Sequence, residues 1–195
     1  MSRWEVDPWN DTEIMNKVVG KVLPNPYETE EQARIIFYGQ NGPRCLEIGA
    51  GYGRLLPEAR KYFTECYGID SSASIVARST RYLLDDFNCK VVLSDGYQIP
   101  FPNSHFYFVY SFTCFQHMPD LETIQQNLRE AFRVLKRGGK CRIQTVLGNR
   151  DEAGRYDGYV FSDPQEFADE LRSVGFPEVT ATVVDEWIWV TGEKP

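Results

Sequence analysis

The chain reads as an α/β protein, a three-layer αβα sandwich on a mostly parallel sheet, and three observations predict it. From Arg44 onward, short β-rich apolar runs alternate with helical patterns, as in strands joined by crossover helices. The first run, Cys45-Leu46-Glu47-Ile48, passes at once into Gly49-Ala50-Gly51-Tyr52-Gly53 and a helix-compatible segment, Arg54 to Tyr62. At the end, the runs Glu178 to Val184 and Glu186 to Thr191 are so close that only an antiparallel hairpin joins them. At 195 residues the chain suits one domain with a sizeable core.

Taken in order, residues 1–40 predict an N-terminal helical cap and residues 41–195 the main fold. Asp11-Thr12 caps a run with Ile14, Met15, Val18 and Val19 on its apolar face, ended by Pro24-Asn25-Pro26. Thr29 to Tyr38 starts on a Thr29-Glu30-Glu31-Gln32 capping box and turns Ala33, Ile36 and Phe37 inward. Both helices are expected to cover the sheet. The second strand, Glu65 to Ile69, ends in Asp70-Ser71-Ser72 before a helix over Ala73 to Leu84. The third, Cys89 to Ser94, ends in Asp95-Gly96, and Phe106 to Phe112 is a buried fourth strand. Asp120 caps a helix running to Leu135, with Ile124, Leu128, Ala131 and Phe132 on one face. Lys136 to Lys140 is a stop and turn ahead of the fifth strand, Cys141 to Val146. After a polar loop, Asp163-Pro164 opens a helix to about Val174.

The chemistry centres on the glycine turn. Alternate glycines let the backbone turn sharply and let a ligand approach without a Cβ in the way, which suits a nucleotide-type cofactor. The dinucleotide pattern G-x-G-x-x-G is not met, because Arg54 stands where its third glycine belongs. Glu47, two residues before Gly49, would repel a pyrophosphate and attract an ammonium or sulfonium, and S-adenosylmethionine carries both cations. Asp70, 21 residues after Gly49, stands where an acid ending the second strand accepts hydrogen bonds from ribose hydroxyls.

Together these residues resemble the class I S-adenosylmethionine-dependent methyltransferases, over Arg44 to about Leu147. The resemblance implies a Rossmann-like sheet of seven strands in the order 3-2-1-4-5-7-6, with only the last antiparallel. It implies cofactor contacts from Glu47, Gly49, Ala50, Gly51, Tyr52 and Gly53, from Asp70 and Ser71, and from Phe112 and Gln116 after the fourth strand. Asp95 and Gly96 would meet the adenine, or form an ordinary Asp-Gly turn. Trp9 and Tyr27 are candidates for lid contacts. Tyr52, Phe112, Phe115, Tyr156 and Trp187 either shape the substrate pocket or belong to the core. The chain departs from the family at Tyr107, where an Asp is common after the Phe that opens the strand.

Methyl transfer needs a placed nucleophile and exclusion of water rather than a triad or metal. His117, just past the fourth strand, is the candidate base for a hydroxyl acceptor, and a helix-capping or packing role suits it as well. His105 is read as turn decoration. The nucleobase-methylating motifs, Asn/Asp-Pro-Pro-Tyr/Phe and Pro-Cys, are absent; Ser111-Phe112-Thr113-Cys114 stands in that place. A small-molecule acceptor is therefore expected, with a protein side chain second. An NAD-type oxidoreductase and a non-catalytic cofactor-binding subunit are the alternatives.

Net charge is −7, with no concentrated run of Lys and Arg, which speaks against nucleic acid or anionic membrane as partner. No signal-like or membrane-spanning apolar stretch is present, so a cytoplasmic protein is expected. The five cysteines lack a C-x-x-C and are read as free thiols, and two histidines leave little for a metal site.

Overall fold

The computed structural model describes residues 26–148 and 158–195, residues 26–28 by their backbone alone. The helix expected after Asp11, together with Trp9, Tyr156 and the Tyr27 side chain, lies outside the described residues. The elements are α1 (Pro26–Phe37), β1 (Gly42–Ile48), α2 (Leu56–Ala59), β2 (Phe63–Asp70), α3 (Ala73–Tyr82) and β3 (Cys89–Leu93). They continue with β4 (Phe106–Ser111), a 3-10 turn (Phe115–His117), α4 (Leu121–Val134), β5 (Leu135–Val146), α5 (Pro164–Ser173), β6 (Val179–Val184) and β7 (Trp187–Glu193).

The seven strands lie in the order β3-β2-β1-β4-β5-β7-β6. β1 to β5 pair in parallel, and β7 runs antiparallel to both β5 and β6, as the sequence predicts. Alternation along the strands sends side chains to two cores. Leu46, Ile48, Val109 and Ile143 face α4 and α5. Cys45, Phe108 and Tyr110 face α1 and α2, where Phe37 is fully buried.

Capping residues set the helix starts. Ser72, Asp120 and Asp163 each accept a backbone N–H from the first turn of α3, α4 and α5, and Pro164 begins α5.

Three expectations need correction. α1 starts at Pro26, whose fixed φ suits a first helical position, so the Thr29 box lies inside the helix. The helix expected over Arg54 to Tyr62 is a single turn, because Gly51 and Gly53 adopt φ of 56° and 77° and helical geometry begins only beyond them. It closes by three-residue hydrogen bonds from Lys61 to Glu58 and from Tyr62 to Ala59. The Lys136 to Lys140 turn is absorbed into β5 as an irregularity. Phe106 pairs with Leu135 while Phe108 pairs with Lys140, and Gly138 takes a φ of 71° between them. Tyr107 stands outward there, with the Lys136 ammonium 5.3 Å from its ring centroid.

Candidate functional site

The site lies at the carboxyl edge of β1, β2, β3 and β4, where open parallel sheets bind ligands. The turn after β1 is strapped to the end of β2. Ile69 O accepts from both Gly49 N and Ala50 N at 2.9 Å. The Asp70 carboxylate accepts from Gly51 N through Oδ2 and from Ser72 N through Oδ1, each at 2.9 Å. Burial pushes Asp70 up, and the N–H groups of Ser72, Gly51 and Ser71 oppose it.

Only glycine suits position 49, with φ of 72° and no room beside Cys114, whose thiol a Cβ would strike. Gly68 in β2 has a matching role the sequence did not reveal, since a Cβ there would strike that of Ala50.

Glu47 is 3% exposed and stands in register with Tyr110 on β4, whose hydroxyl donates to its Oε2 at 3.2 Å. Burial pushes the Glu47 carboxyl up to about 8; Arg54 and the Tyr110 bond oppose this, and Asp70 adds to it. A carboxyl in that state gains most from a cation placed beside it.

At the end of β3, Asp95 is exposed, and its Oδ1 accepts from Gln98 N at 2.7 Å and Tyr97 N at 2.8 Å, which hold it below the usual carboxylate range. Gly96 N donates to Ser94 Oγ at 3.2 Å, and a Gly96 Cβ would stand 3.8 Å from that of Ser71, so these two turns adjoin.

Beyond β4 the chain makes a strained step, with Thr113 at a φ of 53° and its N–H held by Gln144 Oε1 at 3.1 Å. This step sets Cys114 against Gly49. Phe112 packs on Trp189 at 5.9 Å, and the Arg54 guanidinium lies 5.4 Å from its centroid. Arg54 also donates to Gln32 on α1 at 2.6 Å.

Gln116 is 2% exposed, and its Oε1 has no partner among the described residues, an orphaned acceptor that awaits a donor. His117 is exposed at the end of the 3-10 turn, while Phe115 is fully buried against Phe167 in the core. Tyr52 is buried and Trp187 half-buried at the start of β7.

Sequence reasoning therefore located the turns and acids but missed Tyr110, Cys114, Gln144 and Trp189. The spacing of Trp187 and Trp189 hinted at one face of β7; the others depend on register alone. Among the described residues, no group of three or more His, Cys, Asp or Glu could hold a metal, and no helix is long and apolar enough to cross a membrane.

The family described as a methyltransferase domain matches residues 46–143. Phosphoethanolamine N-methyltransferase 2 of Caenorhabditis elegans is 28% identical over 148 residues, covering 71% of this chain and 33% of that protein, so the chain spans about a third of its length. The 27-O-demethylrifamycin SV methyltransferase of Amycolatopsis mediterranei is 29% identical over 150 residues, 75% of this chain and 51% of that one. A SAM dependent methyltransferase of known structure from Aquifex aeolicus shares the fold, with a TM-score of 0.72 at 22% identity over 94% of this chain and 98% of its own. The family match begins inside β1 and ends inside β5, taking in each strand end that carries the site, and the chain belongs to the class I S-adenosylmethionine-dependent methyltransferase family.

Proposed function

We propose that this protein transfers the methyl group of S-adenosylmethionine to a small-molecule acceptor. The observation that carries the reading is the pair of acids at adjacent strand ends, with Glu47 buried beside the glycine turn and Asp70 strapping that turn from the other side. The residues present fit the cofactor. Glu47 offers a carboxyl to a cationic amino-acid end, Asp70 and Ser71 suit two ribose hydroxyls, and the Asp95-Gly96 turn suits the adenine. Gly49, whose missing Cβ leaves room for Cys114, lets the turn pack against the chain after β4.

The cofactor supplies an electrophilic methyl on a sulfonium, so the protein's work is to bind, orient and exclude water. Phe112, with Trp189 and the Arg54 guanidinium packed on it, walls one side, and Gln116 Oε1 presents an acceptor to an N–H or O–H of a ligand. His117, exposed past β4, takes the proton of a hydroxyl acceptor, while a nitrogen acceptor needs no strong base. Support for a small acceptor comes from the relatives named for phosphoethanolamine and 27-O-demethylrifamycin SV, and from the lack of the nucleobase motifs.

Calorimetric titration with S-adenosylhomocysteine and with NAD tests the cofactor. Binding of the first alone is expected, and binding of NAD alone would overturn the assignment. Turnover on a panel of small amines, alcohols and thiols then tests the acceptor class, and activity confined to protein substrates would refute it.

A further inference from the structure

Tyr110 is placed by more than its strand. Its Cα is the register partner of Glu47 across the parallel β1–β4 pair, so both side chains leave the sheet on one face. Its ring is fully buried, crossed edge-on by Phe37 of α1 at 5.0 Å and flanked by Phe108 at 5.8 Å. A ring held on both sides leaves its hydroxyl one position, and that position is 3.2 Å from Glu47 Oε2. One carboxyl oxygen, Oε2, is thereby fixed in place.

We infer that Tyr110 is the positioning residue for the cofactor's cationic end, holding Glu47 so that uptake of the cofactor expels one proton from its carboxyl to solvent. The inference rests on the proposed cofactor and concerns how this chain binds it.

The groups around Glu47 fit the exchange. Arg54, beyond the glycine turn, favours the charged carboxyl; Asp70, at the end of β2, disfavours it; Cys114, after β4, is neutral, its thiol pushed up to about 12 by burial. Burial outweighs Arg54, so the ligand-free carboxyl keeps its proton through neutral pH. An ammonium brought alongside supplies the missing charge. The carboxyl then ionises, the Tyr110 O–H bond becomes charge-assisted, and one positive charge enters the cleft as one leaves. Affinity must then rise with pH and level off above about 8.

The test is calorimetry of S-adenosylhomocysteine binding at pH 7 in buffers of different ionisation enthalpy, using the full chain. The expected result is release of about one proton per ligand bound, absent in Glu47→Gln. In Tyr110→Phe, which keeps the packed ring, binding should weaken about tenfold at pH 7, with the midpoint of its pH dependence raised by about one unit. Buffer-independent heats in the parent chain, or proton release that persists in Glu47→Gln, would overturn the inference and leave the cofactor assignment standing. An unmoved midpoint in a well-folded Tyr110→Phe would reduce Tyr110 to packing. No binding heat at all would instead remove the proposed function.

Discussion

Glu47 ties the stability of the fold to pH as well as shaping the site. An unfolded glutamate ionises near 4.5 and the folded one near 8, so across that window the folded chain binds the extra proton. Stability therefore falls as pH rises through it, and the loss is complete above about 8. Glu47→Gln has no proton to give up. Its melting temperature should gain on that of the parent between about pH 5 and pH 8 and level off above, and a constant difference in thermal scans would remove the burial argument. The two other acids differ in kind. Asp70 meets two hydroxyls and Asp95 one amino group in the proposed complex, at roughly 1.5 to 3 kcal/mol per charge-assisted bond. Asp70→Ala should thus weaken S-adenosylhomocysteine more than Asp95→Ala does, with equal losses showing the roles to be misassigned. All three acids were legible in the sequence, because each ends a strand beside glycine or serine. The partner of Glu47 was not, since 63 residues separate it from Tyr110 and only strand register joins them.

α4 is the element that builds the far side of the cleft. Successive polar positions on one face reach the chain after β3: Gln126 to Tyr97 O, Asn127 to Gly96 O, and Glu130 to Ile99 N. Arg133 completes the row with bonds to Ile99 O, Phe101 O and Asn103 Oδ1 while pairing with Glu130. The guanidinium beside Glu130 holds that carboxyl below the usual range. Arg133→Ala strands a buried carboxylate and frees the Ile99 to Asn103 segment, so a loss of about 2 to 3 kcal/mol is expected, read as a lower urea midpoint. An unchanged midpoint would mean that the segment holds itself. The sequence showed this helix's apolar face and its Asp120 cap plainly. Its polar face could equally have met water, and nothing local told the two apart. The same limit explains the shortened α2 and the irregular start of β5. Two left-handed glycines delayed the helix in one, and pairing to β4 overrode a local turn signal in the other.

At the scale of the whole molecule, the parallel sheet and its antiparallel end follow from alternation and a terminal hairpin, both properties of pattern, while the strand order came from the family resemblance. Register adds what pattern cannot, including a row of three thiols. Cys45 pairs with Cys66 and Cys66 with Cys89 across β1, β2 and β3, all three buried. Hydrogen bonding within the row, with burial, pushes Cys66 and Cys89 far above the ordinary thiol range, and burial pushes Cys141 up to about 12. All five cysteines are free. A chromogenic disulfide reagent should count five thiols in denaturant and react slowly with the native chain, at half-buried Cys114 first. Fewer than five in denaturant would reveal a bridge the fold does not contain.

The separation between Glu47 and Tyr110 also has a meaning in time. β1 is an interior strand of the sheet and precedes the others in the chain, yet one of its two neighbours, β4, lies beyond two crossover units. At about 5 to 20 residues per second, the 63 residues between Glu47 and Tyr110 occupy roughly 3 to 13 s of synthesis. Until β4 is made, Glu47 lacks the strand that buries it, and an unburied glutamate is an ordinary anion at neutral pH. Glu47 gains the partner that buries it only when β4 pairs with β1, and its carboxyl takes up a proton as it is sealed in, so the joining of these two strands is itself an acid–base event.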